Sequence, residues 1–465
     1  MIRLRFLPLA LSLAIGVPAA HADDLLQVYQ EARASDPTLS SAEATKLATD
    51  EYVDQSRSAL LPQIAASLDF TQSRGGEDGQ TFISDPRFPN DPNAAPISVN
   101  GTTNTIYSRS TNATLQQSIL DISRWTALKS SRYTAEAGAA TYDAAQQALL
   151  VRVATAYFNV LTSDDALKFA DANEKALGRQ LEQAQQRFEV GLAAITDVND
   201  AKAQHDQAVA SVINNRNALD QAREAVRQLT NKEPGDFHKL RDNLPLDHPT
   251  PDDPAAWVDV ALKQNPNLSS ASFQVDAANA NINTARSGHL PTITGQVSYG
   301  RSASWGDSRL GGVGDFPNFS GDPKYGSSIS VTLSVPIFTG GYTQSRVRQA
   351  VYNRDFAQDQ FEYNRRLVEA TTRNNFRSVL AGASAVEATK AAVVSAQSSV
   401  EATQAGYEVG TRTIVDVLIS QQTLLQAQSS YSSARHTFVL SGLLLKQAAG
   451  VIEVKDLEAI NALLE

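Results

Sequence analysis

The 465-residue chain contains no cysteine. Disulfide bonds, thiolate metal sites and a lipid-modified N-terminal cysteine are therefore excluded. Positive charge is also scarce, because 40 Lys and Arg residues stand against 50 Asp and Glu residues, for a net charge of −10. An acidic chain is poorly suited to the phosphate backbone of a nucleic acid. We therefore expect no nucleic-acid partner.

Long apolar runs are missing beyond the N-terminus. Arg3 and Arg5 precede a short apolar stretch that ends in an A-x-A pattern at 20–22, so residues 1–22 are predicted to be a cleaved signal peptide; an uncleaved anchor helix is the alternative. Cleavage removes two Arg and no acid, which changes the net charge from −10 to −12. No later stretch approaches the run of about 18 apolar residues that a spanning helix needs. A membrane crossing would therefore use strands, which is the solution of the bacterial outer membrane.

The sequence also lacks a recognisable catalytic or ligand-binding pattern. The six histidines show no metal-ligand spacing, and His205 falls on a heptad seam, where packing is the expected role. The glycine pairs near 75, 311 and 340 lack the strand and helix that flank a phosphate-binding loop. We predict no catalytic residue, no cofactor and no metal.

An internal repeat organises the chain. Asp36-Pro37 and the residues that follow recur as Asn265-Pro266, at an offset of 229. Further along, Phe188-Glu189-Val190-Gly191 recurs as Tyr407-Glu408-Val409-Gly410, at an offset of 219. The chain is therefore a duplicated unit whose loops differ in length.

Each repeat contains two strand candidates, at about 62–74 and 105–119 and at about 291–300 and 327–338. Apolar and polar residues alternate in them, most clearly between 328 and 337. Alternation over about ten residues is typical of a membrane barrel strand, although a soluble sheet with one wet face has the same pattern. The segments between the paired strands, 73–104 and 300–326, are rich in Gly, Asn, Asp and Pro and are predicted to be long outer loops.

The remaining sequence has helical heptads. One apolar seam repeats every seven residues from Val379 to Tyr407, with small residues such as Gly382 on a second seam, which predicts closely packed coiled-coil helices. A helix from about Gly341 to Gly406 would be about 100 Å long. Gly191 and Gly410 occupy the positions where such helices must reverse, and a left-handed C′ residue is expected there.

Four strands cannot close a barrel, because the smallest natural barrels have about eight. Two copies would give eight strands with a filled interior, whereas three would give twelve strands and a lumen. If the protein is a conduit, a trimer is therefore the expected assembly, because only three copies leave a lumen. A periplasmic coiled-coil scaffold would share the heptads, and a single-chain porin would need more strands than the sequence contains.

The chain resembles the TolC family of outer-membrane efflux proteins over nearly the whole mature sequence. The matching motifs are Leu25–Ala32, Leu60–Pro62, Ala154–Leu161, Val190–Leu192, Ala194–Val198, His289–Thr292, Gly340-Gly341, Val393–Ser399 and Val409–Leu418. The first outer loop is longer than in the best-known member, and the C-terminal extension is largely missing. Ile419 stands where the family has a second acidic residue.

The resemblance implies a mixed α and β membrane protein, in which a trimeric 12-stranded β-barrel is continued by a helical coiled-coil barrel in the periplasm. It also implies an exit duct for drug efflux or type I secretion, working with a periplasmic adaptor and an inner-membrane ABC or proton-driven pump. A small equatorial belt is expected. The expected divisions are a first repeat at 23–230, an equatorial linker at 231–256, a second repeat at 257–449 and a C-terminal equatorial segment at 450–465.

The family match also assigns roles at the two helix reversals. It implies that Tyr407 and Arg412 bond to Asp197 and Thr196 and hold the periplasmic entrance closed. Three Asp416 carboxylates would surround the threefold axis, which would raise their pKa by mutual repulsion. Stabilisation of a helix N-terminus would explain Asp197 and Asp416 without any gate. We assign the exposed tips, Gly191-Leu192 and Gly410-Thr411, to adaptor docking.

Overall fold

The computed structural model describes residues 24–85, 87–88, 90–311, 314–319 and 322–465. The predicted signal segment, 1–22, lies outside these residues. The chain forms two compact units, and each repeat contributes to both. One unit contains the residues up to Lys46, Ala139–Ser270 and Glu362–Glu465, and the other contains Leu47–Gly138 and Ala271–Phe361.

Helices make up most of the described chain. They are α1 (Leu25–Ser35), α2 (Pro37–Ser58), α3 (Ile122–Glu189), α4 (Ile195–Thr230), α5 (Pro254–Gln264), α6 (Pro266–Ser287), α7 (Tyr342–Glu408), α8 (Ile414–Ala448) and α9 (Val454–Asn461). The two long helices, α3 and α7, contain 68 and 67 residues, as the proline-free heptads predict.

The repeat is visible in how α2 and α6 begin. Asp36 accepts a hydrogen bond from the Leu39 amide at 2.9 Å, and its repeat equivalent Asn265 accepts one from the Leu268 amide at 3.2 Å. Proline follows each cap at the first helical position, where its missing N–H costs nothing. Asp36 also pairs with Arg152 at 2.7 Å, while Asn265 donates instead to the Ala448 carbonyl at 2.9 Å.

The core of the first unit lies where the linker and the C-terminus meet the long helices. Tyr157 and Phe158 of α3 are fully buried, and the Tyr157 hydroxyl donates to the His238 carbonyl at 2.9 Å. Leu240 of the proline-rich linker forms an antiparallel bridge with Leu464. The structure therefore joins the two segments assigned to an equatorial belt.

Packing of α7 against α8 follows the predicted seams. Val379 and Val386 are buried, and Val417 is 0 % exposed. A Cβ atom on Gly382 would lie 3.3 Å from the Phe438 ring, so a small residue is needed where the two helices approach. This close approach confirms the role of the small-residue seam.

We expected no stretch after residue 22 to have the composition of a membrane-spanning helix, and this expectation was wrong. Helix α7 contains an 18-residue window that is long and apolar enough to do so, with 22 % of the window buried. The physical reason is the composition of the heptad seams, because Ala and Val at these positions raise the hydropathy of the helix.

The second unit holds one antiparallel sheet. Its strands are β1 (Gln63–Ile83), β2 (Ile97–Leu120), β3 (Thr292–Leu310), β4 (Gly314–Phe319) and β5 (Lys324–Ser334). Strand β2 pairs with β1 and with β3, so the two repeats join in the middle of the sheet. Strands β4 and β5 follow one another along the other edge of β3, which makes the sheet four strands wide, as predicted.

The predicted outer loops were wrong in extent. Most of 73–104 and of 300–326 is strand, because β1 and β2 pair out to Ile83 and Ile97, and β3 pairs with β4 beyond residue 305. These segments lack clean alternation, so periodicity missed them. Their backbone groups are nonetheless satisfied by the antiparallel ladder, which needs no particular side chain.

Candidate functional site

The two helix reversals share one backbone geometry. In the first, the Leu192 amide donates to the Arg187 carbonyl at 2.7 Å and the Gly191 amide to the Phe188 carbonyl at 2.9 Å. In the second, Thr411 donates to Gly406 at 2.8 Å and Gly410 to Tyr407 at 3.1 Å. This pair of bonds is the Schellman motif that ends a helix.

The glycines at both reversals adopt the left-handed conformation that was predicted. The φ angle is 76° at Gly191 and 79° at Gly410. Apolar side chains project into solvent around them: Val190 is 69 % exposed, Leu192 is 72 % exposed and Val409 is 75 % exposed. Each reversal is therefore a glycine turn that carries uncovered apolar side chains.

The return helices begin differently. Thr413 caps α8, since its hydroxyl accepts from the Asp416 amide while Asp416 Oδ2 accepts from the Thr413 amide at 2.9 Å, which completes a capping box. Ala194 occupies the equivalent position before α4 and offers no side-chain cap. No reciprocal capping box of this kind is formed at the start of α4, where Asp197 is the counterpart of Asp416.

Within one chain, the pKa of Asp416 lies below its ordinary value. The hydrogen bond from the Thr413 backbone amide is the main cause, followed by the bond from the Thr413 hydroxyl. The rise expected from three mutually repelling carboxylates requires three chains around an axis. The threefold ring stays a prediction, and the capping role is what the single chain displays.

Tyr407 lies in a small apolar cluster that joins the two hairpins. Only 7 % of the residue is exposed, and its neighbours in the cluster include Leu177 of α3 and Val417 of α8. The guanidinium of Arg187 lies 4.9 Å from the centroid of the Tyr407 ring. Sequence analysis missed Arg187, although a cation one residue before the repeated Phe188 motif was the available signal.

The other predicted gate residues are not brought together within the chain. Arg412 and Thr196 are exposed, and Asp197 is half-buried. In the described part of the chain, neither the Arg412 guanidinium nor the Tyr407 hydroxyl donates a hydrogen bond to Asp197 or Thr196. The Arg412 backbone amide donates to the Gly406 carbonyl at 3.2 Å.

The sheet carries the features of a membrane surface. Apolar side chains of one face are uncovered: Ile64 is 76 % exposed, Leu68 is 73 % exposed and Ile329 is 80 % exposed. On the other face, Asp69 accepts from Ser110 at 3.3 Å, and Ser298 bonds to Ser328 at 2.7 Å. A soluble sheet would cover its apolar face, so this arrangement suits lipid on one side and water on the other.

Among the described residues, no group of three or more His, Asp or Glu side chains could hold a metal ion. His205 bonds through Nε2 to Glu174 Oε1 at 3.1 Å and so links α4 to α3.

The comparisons with known proteins agree with this architecture. The sequence pattern described as "Outer membrane efflux protein" matches residues 28–232 and 257–451. The Escherichia coli outer membrane protein TolC is 38 % identical over 98 % of this chain and 88 % of its own length. The alkaline protease secretion protein AprF of Pseudomonas aeruginosa is 27 % identical over 95 % of this chain and 88 % of its own length.

Solved structures show the same fold at lower identity. The crystal structure of the Campylobacter jejuni CmeC outer membrane channel superposes with a TM-score of 0.71, at 15 % identity, over 95 % of this chain and 90 % of that one. With a family match over most of its length, the chain belongs to the outer membrane efflux protein family and is a channel of the outer membrane rather than an enzyme.

Proposed function

We propose that three copies of this chain form a 12-stranded barrel and a helical tunnel that export drugs or proteins through a closable periplasmic entrance. The open sheet carries the argument for assembly. In the described residues, β1 pairs with β2 alone, and β5 pairs with β3 alone. Each outer edge therefore needs a partner strand, because unpaired backbone groups are costly in lipid. A second and a third copy supply those edges and leave a lumen.

The polar face of the sheet would line that lumen. Most of its side chains are Ser, Thr, Asn or Gln, and several of them already bond across strands, as Ser308 does to Asn104 at 2.6 Å. A water-filled interior accepts such groups, whereas the uncovered Ile, Leu and Val residues of the opposite face would meet the lipid.

We assign closure of the entrance to a pair between hairpins of neighbouring protomers, formed by Arg412 of one chain and Asp197 of the next, since the two side chains do not meet within one chain. Asp416 is engaged by its own cap through Thr413, whereas no capping box is formed at the start of α4, which carries Asp197. Arg412 is exposed beside the second reversal. A hydrogen bond between charged groups contributes about 1.5–3 kcal/mol, and threefold symmetry would repeat it three times. Thr196 and the hydroxyl of Tyr407 would extend this contact.

The tips are proposed to dock a periplasmic adaptor, which in turn joins an ABC or proton-driven pump of the inner membrane. The exposed apolar side chains of Leu192 and Val409 support this role, since uncovered apolar patches mark sites of protein contact. The similarity to AprF, an alkaline protease secretion protein, supports protein export as one use of this architecture.

The entrance is tested by cross-linking, for which the absence of cysteine is an advantage. Asp197→Cys and Arg412→Cys together should react with a short bismaleimide to give products larger than one chain. Single-channel conductance should fall after the reaction. Each single variant is the control and should give little product. Products confined to one chain would contradict pairing between protomers.

Docking is tested at the tips. Leu192→Asp combined with Val409→Asp should abolish export, while Leu192→Met combined with Val409→Leu should retain it, because those changes keep the surface apolar. Yield of detergent-extracted trimer should be equal in both. Normal export by the Asp variant would rule out these tips as the docking surface.

A further inference from the structure

Two arginines lie on the apolar face of the sheet, near the middle of β2 and of β3. Arg109 of β2 pairs in register with Ala303 of β3, and Arg301 of β3 pairs with Thr111 of β2. These pairs are two residues apart on neighbouring strands, so both side chains leave the same face as diagonal neighbours. Both arginines are exposed.

The register gives their depth in the membrane. The innermost apolar pair of this face is Ile293 with Leu333. Ala303 lies ten residues further along β3. At about 3.3 Å per residue and a tilt of about 40°, this separation is about 25 Å of membrane height, which is the height of the apolar band of a barrel. Arg109 and Arg301 therefore lie at the outer limit of the hydrocarbon.

Aromatic side chains mark the same level. Phe70 lies opposite Arg109, and its ring centroid is 6.4 Å from Tyr107 and 6.3 Å from Trp305. Tyr325 lies opposite Arg301 and is 80 % exposed. Tyr and Trp collect at the boundary between hydrocarbon and headgroups.

No carboxylate neutralises either arginine in the described part of the sheet. Asp69 points to the opposite face, where it accepts from Ser67 at 3.2 Å and from Ser110. Arg309, further out on the apolar face, has its own partner, Asp315, at 3.2 Å. Two adjacent guanidinium groups at the edge of the hydrocarbon thus call for an anion that the chain does not supply.

We propose that Arg109 and Arg301 bind a phosphate group of an outer-leaflet lipid headgroup, with the aromatic residues packing against the rest of that lipid. Guanidinium groups bind phosphate through paired hydrogen bonds, and the lipid brings its phosphates to this depth. The inference depends on the outer-membrane location and not on the proposed entrance contacts.

The test uses the full chain extracted in detergent and a bisphosphorylated lipid A as the probe, with bound lipid counted by native mass spectrometry. Arg109→Gln with Arg301→Gln should weaken lipid binding at least tenfold. The matched control, Arg74→Gln with Arg309→Gln, removes the same charge from the outer part of the sheet and should leave binding within twofold of the parent. Equal weakening in the two double variants would overturn the proposal.

Two further binding measurements distinguish a lipid phosphate from free inorganic phosphate as the group that the arginines bind. Lipid A stripped of phosphate should bind the parent no better than it binds the Arg109→Gln, Arg301→Gln variant. Inorganic phosphate at millimolar concentration should not displace the intact lipid. Displacement by inorganic phosphate, or unchanged binding of the stripped lipid, would show that a lipid phosphate is not what the two arginines recognise. Thermal melting of each variant confirms that it is folded.

Discussion

Arg187 lies with its guanidinium 4.9 Å from the centroid of the Tyr407 ring, and this contact links the end of α3 to the end of α7. The first repeat lacks an equivalent of the buried Tyr407 ring, because the counterpart of Tyr407 is Phe188, which is 42 % exposed. The two hairpins of one chain therefore differ at their tips, with one aromatic ring held by a cation and the other uncovered.

A first prediction separates the ring of Tyr407 from its hydroxyl. Arg187→Gln removes a contact that is worth about 0.5–2 kcal/mol, so single-channel conductance in planar bilayers should rise. Tyr407→Phe keeps the ring and should leave the Arg187 contact intact. Because the Tyr407 hydroxyl is proposed to extend the closing contact, Tyr407→Phe should nevertheless raise the conductance, and an unchanged conductance would exclude the hydroxyl from closure. Phe188→Leu is the control and should have no effect on closure.

A second prediction concerns the Asp416 ring. Trivalent cations should block the channel by bridging carboxylates around the axis, and Asp416→Ala should lose that block. Thr413→Val removes the capping hydroxyl but keeps the carboxylate, so it should retain the block. Because Ile419 is 58 % exposed one turn along and carries no charge, the block should be weaker than in a relative with two acidic rings. Block that survives Asp416→Ala would mean that the carboxylates do not face the pore.

A third prediction concerns acid stability at Asp36. Burial raises the pKa of this carboxyl, but the hydrogen bonds from Arg152 and the Leu39 amide outweigh it, and the pKa lies below 3.8. The Asp36 carboxylate therefore stabilises the fold at any pH above the pKa that this group has in the unfolded chain. The stabilisation is lost as the pH falls through the lower pKa that it has in the folded chain. Asp36→Asn, which copies Asn265, should flatten the loss of thermal stability below about pH 4. If Asp36→Asn loses as much thermal stability in acid as the parent does, the ion pair of Asp36 with Arg152 contributes nothing to stability in that pH range.

A fourth prediction concerns His436, whose Nδ1 lies 2.7 Å from the Thr162 hydroxyl. Burial lowers its pKa to about 4, while Asp165 raises it and Arg435 lowers it further. The unfolded chain therefore takes up this proton first, so stability should fall as the pH drops from about 6.5 to about 4, by up to about 3 kcal/mol. His436→Gln should lack this fall, and the exposed His248→Gln should keep it. Identical pH profiles for the parent and His436→Gln would refute the assignment.

A fifth prediction compares three glycine substitutions. Neither Gly191 nor Gly410 has an atom within 4 Å of an added Cβ, so alanine there should cost only backbone strain, about 1–2 kcal/mol each. Gly442 is equally uncrowded but lies in α8 with ordinary helical φ, and Gly442→Ala should stabilise by about 0.5–1 kcal/mol. Thermal melting ranks the three variants, and a neutral Gly410→Ala would contradict the strain argument.

The sequence by itself determined the elements that depend on local periodicity. Period-two alternation predicted the four strand positions, heptads predicted α3 and α7, and the repeated Val-Gly pairs predicted left-handed turns at Gly191 and Gly410. The capping box was also readable, because Thr413 precedes Asp416 by three residues, although we interpreted Asp416 as a pore residue. Such features follow from the backbone geometry of a few neighbouring residues.

Tertiary structure decided whatever depends on pairing between distant segments. The strands extend into segments without alternation because a partner strand satisfies their backbone groups, and no local pattern encodes that partner. The contact of Arg187 with Tyr407 and the diagonal placement of Arg109 beside Arg301 join residues separated by 220 and 192 positions. Only the packing between the ends of α3 and α7 and the register of β2 with β3 bring these side chains together, because each contact joins one repeat to the other.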